Sequence, residues 1–293
     1  MPELPEVETV VRDLRAHGLE KAVIRGVEVR WPRLVSGLTP KAFAEALKGR
    51  AIAGVARRAK YIVLTLDTGE RLLIHLRMTG KLRFAAPDEV PGRHDHLIVA
   101  FADGRRLVFN DTRKFGRFRL AAAGADPLPD LGPEPLDAAF TSDVLQKRLR
   151  GKARKIKPLL LDQTTVAGLG NIYVDESLWQ ARIHPERRAD TLTPAEVRRL
   201  RQAIREVLRR AVRNRGTTLG DGKTNFYSVA GRRGRNADEL NIFRRDGLPC
   251  PRCGTIIARS VVGQRGTHFC PRCQRLSTSP QTARSGSRPK SSG

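Results

Sequence analysis

The spacing of apolar positions changes along the chain, and each change marks a different kind of element. Behind the opening MPELPE, Val7, Val10, Val11 and Leu14 recur at three- and four-residue intervals, which predicts an amphipathic helix with Pro in its first turn and acidic residues at its positive end. From there to about Ala123 the period shortens. YIVLTLDTGERLLIHLR is two apolar runs joined by a Gly-containing turn, and LIVAFADGRRLVFN repeats the device. Antiparallel β-structure in two layers, a sandwich or flattened barrel, is the expected result. AAAGADPLPDLGPEPLD is rich in Pro, Gly and Asp without a periodic face, so it reads as an interdomain linker with a boundary near residue 137.

Beyond the linker the period is helical again, in TSDVLQKRLRG and in IKPLLLDQTTVAGLGNIYVDESLWQ. Thr193, Pro194 and Glu196 then open a long helix in a capping-box arrangement. Its buried stripe is Val197, Leu200, Ile204, Val207, Leu208 and Ala211, while Arg198, Arg199, Arg201, Arg205, Arg209 and Arg210 take faces expected to be solvated and only secondarily to meet DNA. TTLGDGKTNFYSVAGRRGRNADEL is too long for a simple turn and reads either as a functional loop or as a linker. The tail LSTSPQTARSGSRPKSSG has too little apolar content to fold. The expected class is α+β and multidomain, divided into 1–137, 138–239, 240–275 and a disordered basic tail, 276–293.

Charge narrows the partner. The 293 residues carry 55 Lys and Arg against 30 Asp and Glu, a formal net charge of +25 with a pI near 11.2. A polyanion is the expected partner, and nucleic acid fits better than a membrane: no apolar run approaches bilayer length and the basic residues recur throughout. A generally basic proteome would give the same excess. No basic leader precedes an apolar block, so no export signal is expected and a cytoplasmic monomer is.

All four cysteines fall in PCPRCGTIIARSVVGQRGTHFCPRC, as Cys250, Cys253, Cys270 and Cys273, two CxxC pairs separated by sixteen residues. In a reducing compartment this spacing predicts one tetrahedral structural zinc, because four thiolates fill the coordination shell and leave no open catalytic position. The N-terminus leaves two readings open. Pro2 and Glu3 either start a helix, or, after loss of Met1, put a secondary amine beside a proton carrier.

MPELPEVETV, GLGNIYVDESLWQARIHP and GQRGTHFCPRCQR together, in this order and over roughly residues 1 to 275, resemble the formamidopyrimidine-DNA glycosylase family of bacterial base-excision repair enzymes. The resemblance implies an N-terminal β-sandwich, a helix-two-turn-helix domain and a zinc-bearing β-hairpin, with damaged double-stranded DNA held between domains. It implies Pro2 as the nucleophile that attacks sugar C1′, Glu3 as general acid/base, and Glu6 as a supporting carboxylate or simply helix N-terminal charge. Lys60 matches a proton donor for β-elimination, against the alternative of a strand-edge lysine. Arg265, at the hairpin apex, matches the arginine that grips the lesion phosphate and serves δ-elimination; zinc would act indirectly by fixing that hairpin, so that metal loss should abolish DNA engagement. Met78, Arg113 and Phe115 match the trio that fills the gap left by the extruded nucleotide, although Met78 and Phe115 alone would read as core. His75, His94 and Asn171 match phosphate or strand contacts, Asn171 through a turn whose amides can face a phosphate. For His94 a structural role with Asp95 or His96 is the alternative.

There are departures from the family pattern. Phe243 replaces a frequent tyrosine, so that Arg244 or Arg245 is left to supply the attraction for phosphate. Ala153 stands where some relatives have a DNA-contacting lysine, with Lys152, Arg154 or Lys157 as substitutes. Thr217 and Thr218 open the lesion-recognition loop. The implied activity is removal of oxidised purines followed by β- and δ-elimination. The rivals are an endonuclease VIII-like enzyme for oxidised pyrimidines, against which PELPEVET argues, and a noncatalytic zinc-ribbon DNA-binding protein.

Overall fold

A computed structural model describes residues 1–124, 126–220 and 226–276. The expected disorder of the tail past Leu276 and the middle of the recognition loop, 221–225, lie outside the described residues. The opening helix is α1 (Leu4–Ala16), with Pro5 in its first turn. Nine strands follow: β1 (Ile24–Val29), β2 (Val35–Ser36), β3 (Ile52–Arg58), β4 (Tyr61–Leu66), β5 (Arg71–His75), β6 (Lys81–Ala85), β7 (Asp95–Phe101), β8 (Arg106–Asn110) and β9 (Arg117–Ala121). They form a four-stranded sheet, β1-β7-β8-β6, and a five-stranded sheet, β2-β9-β5-β4-β3. All pairings are antiparallel except the short parallel β2–β9 contact. The two apolar runs around DTG are the β4–β5 hairpin, in register from Tyr61↔His75 to Thr65↔Arg71.

One helix interrupts the β region where none was expected: α2 (Pro40–Leu47), started by the Thr39 hydroxyl, which accepts the Ala42 N–H at 3.2 Å. Its two large apolar residues, Phe43 and Leu47, are both fully buried. The helical half contains α3 (Ser142–Leu149), α4 (Ile156–Leu161), α5 (Asn171–Ala181) and α6 (Pro194–Arg213), and β10 (Ala258–Val262) pairs with β11 (Arg265–Phe269) in the terminal hairpin. Thr193 and Glu196 form the expected capping box of α6.

The chain folds around two large cores and one small one. Val7, Val10, Val11 and Leu14 belong to the core between the sheets, whereas Leu4 lies in the helical core with Tyr173 and Leu208. Thus α1 is embedded in both, and the residues ahead of it sit at the junction. The linker is pinned. Arg205 of α6, expected on a solvated face, is buried and donates to the carbonyls of Pro135 (3.0 Å) and Asp137 (2.5 Å). Glu134 pairs with Arg57 (2.8 Å) and Arg58 (3.1 Å) and accepts the Ala59 N–H at 2.5 Å.

Candidate active site

Pro2 and Glu3 reach the domain junction because α1 is fixed in both cores. Pro2 is buried and lines a cavity of about 120 Å³ together with Glu6, Met78, Thr217 and Arg244. Glu3 is 3 % exposed, and its carboxylate accepts the N–H groups of Ile172 (3.0 Å) and Tyr173 (3.4 Å) in the first turn of α5. The Glu3 carboxylate, itself an anion at a helix N-terminus, thus occupies the two amides that follow the Gly168–Asn171 turn. A Cβ on Gly170 would lie 2.3 Å from the Glu3 Cδ, so only glycine lets this carboxylate reach the helix end. Burial pushes the Glu3 carboxyl up to about 7, with Lys60 opposing the rise and Glu6 adding to it.

Glu6 is fully enclosed as well. One oxygen takes the Tyr173 hydroxyl (2.5 Å) and the Thr217 N–H (2.7 Å), and the other takes the Glu3 N–H (2.8 Å). It therefore holds the peptide that joins Pro2 to Glu3. Gly216, at φ +77°, makes room for it, since a Cβ there would stand 2.7 Å from its Oε1. Burial raises the Glu6 pKa despite these donors and pushes that of Tyr173 well above its ordinary value.

Lys60 is in the two-residue turn between β3 and β4, after Ala59 at φ +51°. It is only 6 % exposed, which does not fit an ordinary strand-edge lysine. Burial lowers its pKa, the carboxyls of Glu3 and Glu6 oppose that, and Arg265 lowers it further. Glu3, Lys60 and Arg265 thus share one electrostatic neighbourhood, although they come from α1, a sandwich turn and the tip of the terminal hairpin. Next to Lys60, His75 accepts the Arg77 N–H on Nδ1 (2.9 Å), leaving Nε2 as its donor. Burial, then the charges of Arg77 and Lys60, lower its pKa to about 3, so it is neutral at physiological pH.

Met78, Arg113 and Phe115 come together at the surface. Met78 is 40 % and Phe115 44 % exposed, which excludes the core reading of both. The Arg113 guanidinium lies 4.7 Å from the Phe115 ring centroid and donates to the Met78 sulfur at 3.2 Å. Their two loops are tied by Asp111, which the sequence did not single out. Fully buried, it accepts from the Thr79 hydroxyl, from Arg113 N–H at 3.1 Å and from Gly116 N–H at 2.8 Å. Neither local partner hydrogen-bonds the His94 side chain: Asp95 is engaged by Arg83 and Asn110, and His96, whose ring meets that of His94 edge-on at 6.4 Å, by the Asp111 carbonyl. The His94 Nδ1 is buried without a hydrogen-bond partner among the described residues.

Of the expected DNA contacts, Lys157 and Thr218 are turned inward, and Asn171 is half-buried. Asn171 donates to the Gly266 carbonyl at 2.9 Å and so holds the hairpin. Lys157 has no exposed surface; it pairs with Asp175 at 2.6 Å and donates to Gly266 at 3.0 Å, which removes it as a substitute for the absent lysine at Ala153. Of the other two substitutes, Arg154 pairs with Asp162 at 3.3 Å and Lys152 is exposed. The Thr218 hydroxyl donates to the Phe226 carbonyl (2.7 Å) and accepts from Gly234 (2.8 Å), so it secures the loop, whereas Thr217 lines the cavity.

The sulfurs of Cys250, Cys253, Cys270 and Cys273 lie within 4.8 Å of one another, with Cys253 3.5 Å from Cys270 and 3.4 Å from Cys273. A tetrahedron with Zn–S bonds of about 2.3 Å has edges of about 3.8 Å, so the donor set fits one structural zinc. Helix α5 anchors this unit along one side. Asp175 accepts the His268 N–H at 3.0 Å, Glu176 accepts those of Asn241 (3.0 Å), Ile242 (2.8 Å) and Phe243 (3.0 Å), and Trp179 donates to the Cys250 sulfur at 3.4 Å. No helix among the described residues is long and apolar enough to cross a membrane.

Models of three families match the chain: formamidopyrimidine-DNA glycosylase N-terminal domain over residues 1–118, formamidopyrimidine-DNA glycosylase H2TH domain over 131–222, and zinc finger found in FPG and IleRS over 247–276. A formamidopyrimidine-DNA glycosylase of Roseiflexus sp. is 47 % identical over 94 % of this chain and all (100 %) of its own length. That of Herpetosiphon aurantiacus is 49 % identical over the same shares, 94 % and 100 %. Among solved structures, a Lactococcus lactis FPG mutant in complex with a Fapy-dG containing DNA superposes with a TM-score of 0.86 at 40 % identity, covering 94 % of this chain and 100 % of that one. MutM (FPG) from Thermus thermophilus gives 0.84 at 41 % identity, again covering 94 % and 100 %.

Proposed function

The chain belongs to the formamidopyrimidine-DNA glycosylase family, and on that premise we propose that it is a bifunctional DNA glycosylase and AP lyase removing oxidised purines, chiefly formamidopyrimidines and 8-oxoguanine opposite cytosine, from double-stranded DNA. The observation that carries this reading is Pro2 in the cavity wall with the buried Glu3 carboxyl, poised near pH 7, beside it in the chain.

With Met1 removed, Pro2 is a secondary amine. Its lone pair bonds to C1′ as the glycosidic bond breaks and the bonding pair leaves with the base; the nitrogen sheds the proton that the departing base requires. The C1′–O4′ bond then opens to an iminium, and protonated Glu3 gives its proton to O4′. The iminium acidifies the C2′ hydrogens. Ionised Glu3 takes one, the C2′–C3′ double bond forms, and the 3′ phosphate leaves. Loss of a C4′ hydrogen likewise expels the 5′ phosphate. A carboxyl with a pKa of about 7 serves both as acid and as base at neutral pH.

In this reading Lys60 and Arg265 meet the phosphates as they leave, Lys60 also as proton donor for β-elimination. Glu6 keeps the Pro2–Glu3 peptide in place. Met78, Arg113 and Phe115 occupy the gap in the duplex, with Arg113 hydrogen-bonding the orphaned cytosine, and His94 and His75 serve strand contacts. Thr217 is the remaining lesion contact from the loop. Residues 1–137 supply the catalytic sandwich, 138–239 the helix-two-turn-helix unit, and 240–275 the zinc finger. Zinc, held by Cys250, Cys253, Cys270 and Cys273, supplies a rigid base for the hairpin that bears Arg265.

Borohydride trapping on an 8-oxoguanine:cytosine duplex tests this, comparing wild type with Pro2→Gly and with an N-terminally extended chain. An adduct mapped to Pro2, and lost on extension, is expected. Binding without any adduct on this duplex or on thymine glycol would reduce the opening to a helix start and the protein to a DNA binder; faster excision of thymine glycol than of 8-oxoguanine would favour the endonuclease VIII-like reading.

A further inference from the structure

Arg244 stands at φ +57°, a left-handed conformation that glycine adopts without cost and a residue with a Cβ does not. Strain of this kind persists where the surroundings enforce it, and it concentrates at functional sites. Here the surroundings are firm: the preceding amides of Asn241, Ile242 and Phe243 all donate to Glu176, and the Phe243 ring meets His268 edge-on at 5.0 Å. The chain is therefore held rigidly up to the point where the Arg244 side chain departs.

That side chain is exposed and lines the cavity that also contains Pro2, Glu6, Lys81 and Thr217. Among the described residues its guanidinium has no hydrogen bond and no ion pair; it only approaches the Phe243 ring, at 6.0 Å. The one carboxyl among the described residues of the cavity wall is Glu6, whose oxygens already accept from Tyr173, Thr217 and Glu3. Among the described residues of its wall the cavity thus presents two cationic side chains, Lys81 and Arg244, and no carboxylate with an oxygen left to answer Arg244.

We propose that Arg244 binds a phosphate of the nucleotide held for attack by Pro2. A nucleotide whose C1′ meets Pro2 carries its phosphates within one sugar's length of that atom, and a guanidinium offers two parallel donors to phosphate oxygens. Arg244 is then a substrate-positioning residue of this site, and its assignment rests on the glycosylase reading.

Arg244→Gly removes the guanidinium while giving the strained position to the residue that suits it, so the variant should melt no lower than wild type. On a duplex carrying a tetrahydrofuran abasic site, which binds without reacting, Kd should rise about tenfold or more, and the slope of log affinity against log salt should shrink by about one. Arg244→Lys should recover part of the loss. On an undamaged duplex the glycine variant should differ from wild type by less than about threefold, a gap well short of a lost charged hydrogen bond. An unchanged Kd on the abasic duplex, or an equal loss on both duplexes, would overturn the assignment while leaving the Pro2 adduct of the wild type intact. Absence of that adduct from the wild type would instead overturn the glycosylase reading, and the Arg244 assignment with it.

Discussion

Replacing Glu3 by Gln separates the energetic consequence of burying this carboxyl from its chemistry. Burial raises the Glu3 pKa from 4.5 to about 7, so the folded state holds a proton that the unfolded chain has already released. The sign follows from linkage: a raised carboxyl pKa gives stability that is complete below about pH 4.5 and lost as pH rises through about 7. At about 1.4 kcal/mol for each tenfold, the difference corresponds to about 3 kcal/mol. Gln does not titrate. Its amide meets the same N–H groups of Ile172 and Tyr173, which adds an offset of either sign but no dependence on pH. The unfolding free energy of Glu3→Gln minus that of wild type should therefore climb by about 3 kcal/mol between pH 4.5 and 8, read from urea titrations at half-unit intervals, while base release is lost throughout. A difference that stays flat with pH would refute the claim that burial raises the Glu3 pKa to about 7.

Other positions give independent outcomes. Gly170→Ala places a Cβ 2.3 Å from the Glu3 Cδ and should cost at least about a hundredfold in excision rate, measured in single turnover, for a stability loss of about 1–3 kcal/mol. Asp111→Ala unties the loops of Met78 and Arg113, so discrimination between lesion and undamaged duplex, read by fluorescence anisotropy, should fall about tenfold with Pro2 trapping still detectable. Chelating zinc should weaken binding to an abasic duplex by at least about a hundredfold, and readdition of zinc should restore it; the hydrogen bonds of α5 to Asn241, Ile242, Phe243 and His268 should keep residues 241–243 protected from amide exchange after the metal is gone.

Much of the protein is legible in its order of residues. The period of apolar positions gives α1 and α6, which bury one stripe each, and the apolar runs broken by Gly turns give the β4–β5 and β7–β8 hairpins, whose strands are buried along most of their length. The CxxC spacing gives the zinc set for a similar local reason: each pair supplies two sulfurs from one turn, and only the distance between pairs is left open. Helix α2 escaped because its signal is brief: a Thr cap and two buried apolar residues within eight.

What the tertiary structure decided is which polar groups face a ligand and which face each other. Lys157 and Thr218 have the composition of DNA contacts, yet Lys157 is enclosed against Asp175 and the Thr218 hydroxyl donates to the Phe226 carbonyl, and Asn171 gives an amide donor to the Gly266 carbonyl. Met78 and Phe115 have the composition of core, yet stand exposed beside Arg113. Asp111, Tyr173 and Gly216 carry no local mark, since each acts on a group distant in the chain, Asp111 on Thr79 and Tyr173 and Gly216 on Glu6. The sequence determined the elements and the inventory of chemical groups, which depend on neighbours a few residues apart. Desolvation, which sets the Glu3 pKa, and the freedom of Arg244 depend on segments hundreds of residues distant, and only the packing of α1 between two cores brings those segments together.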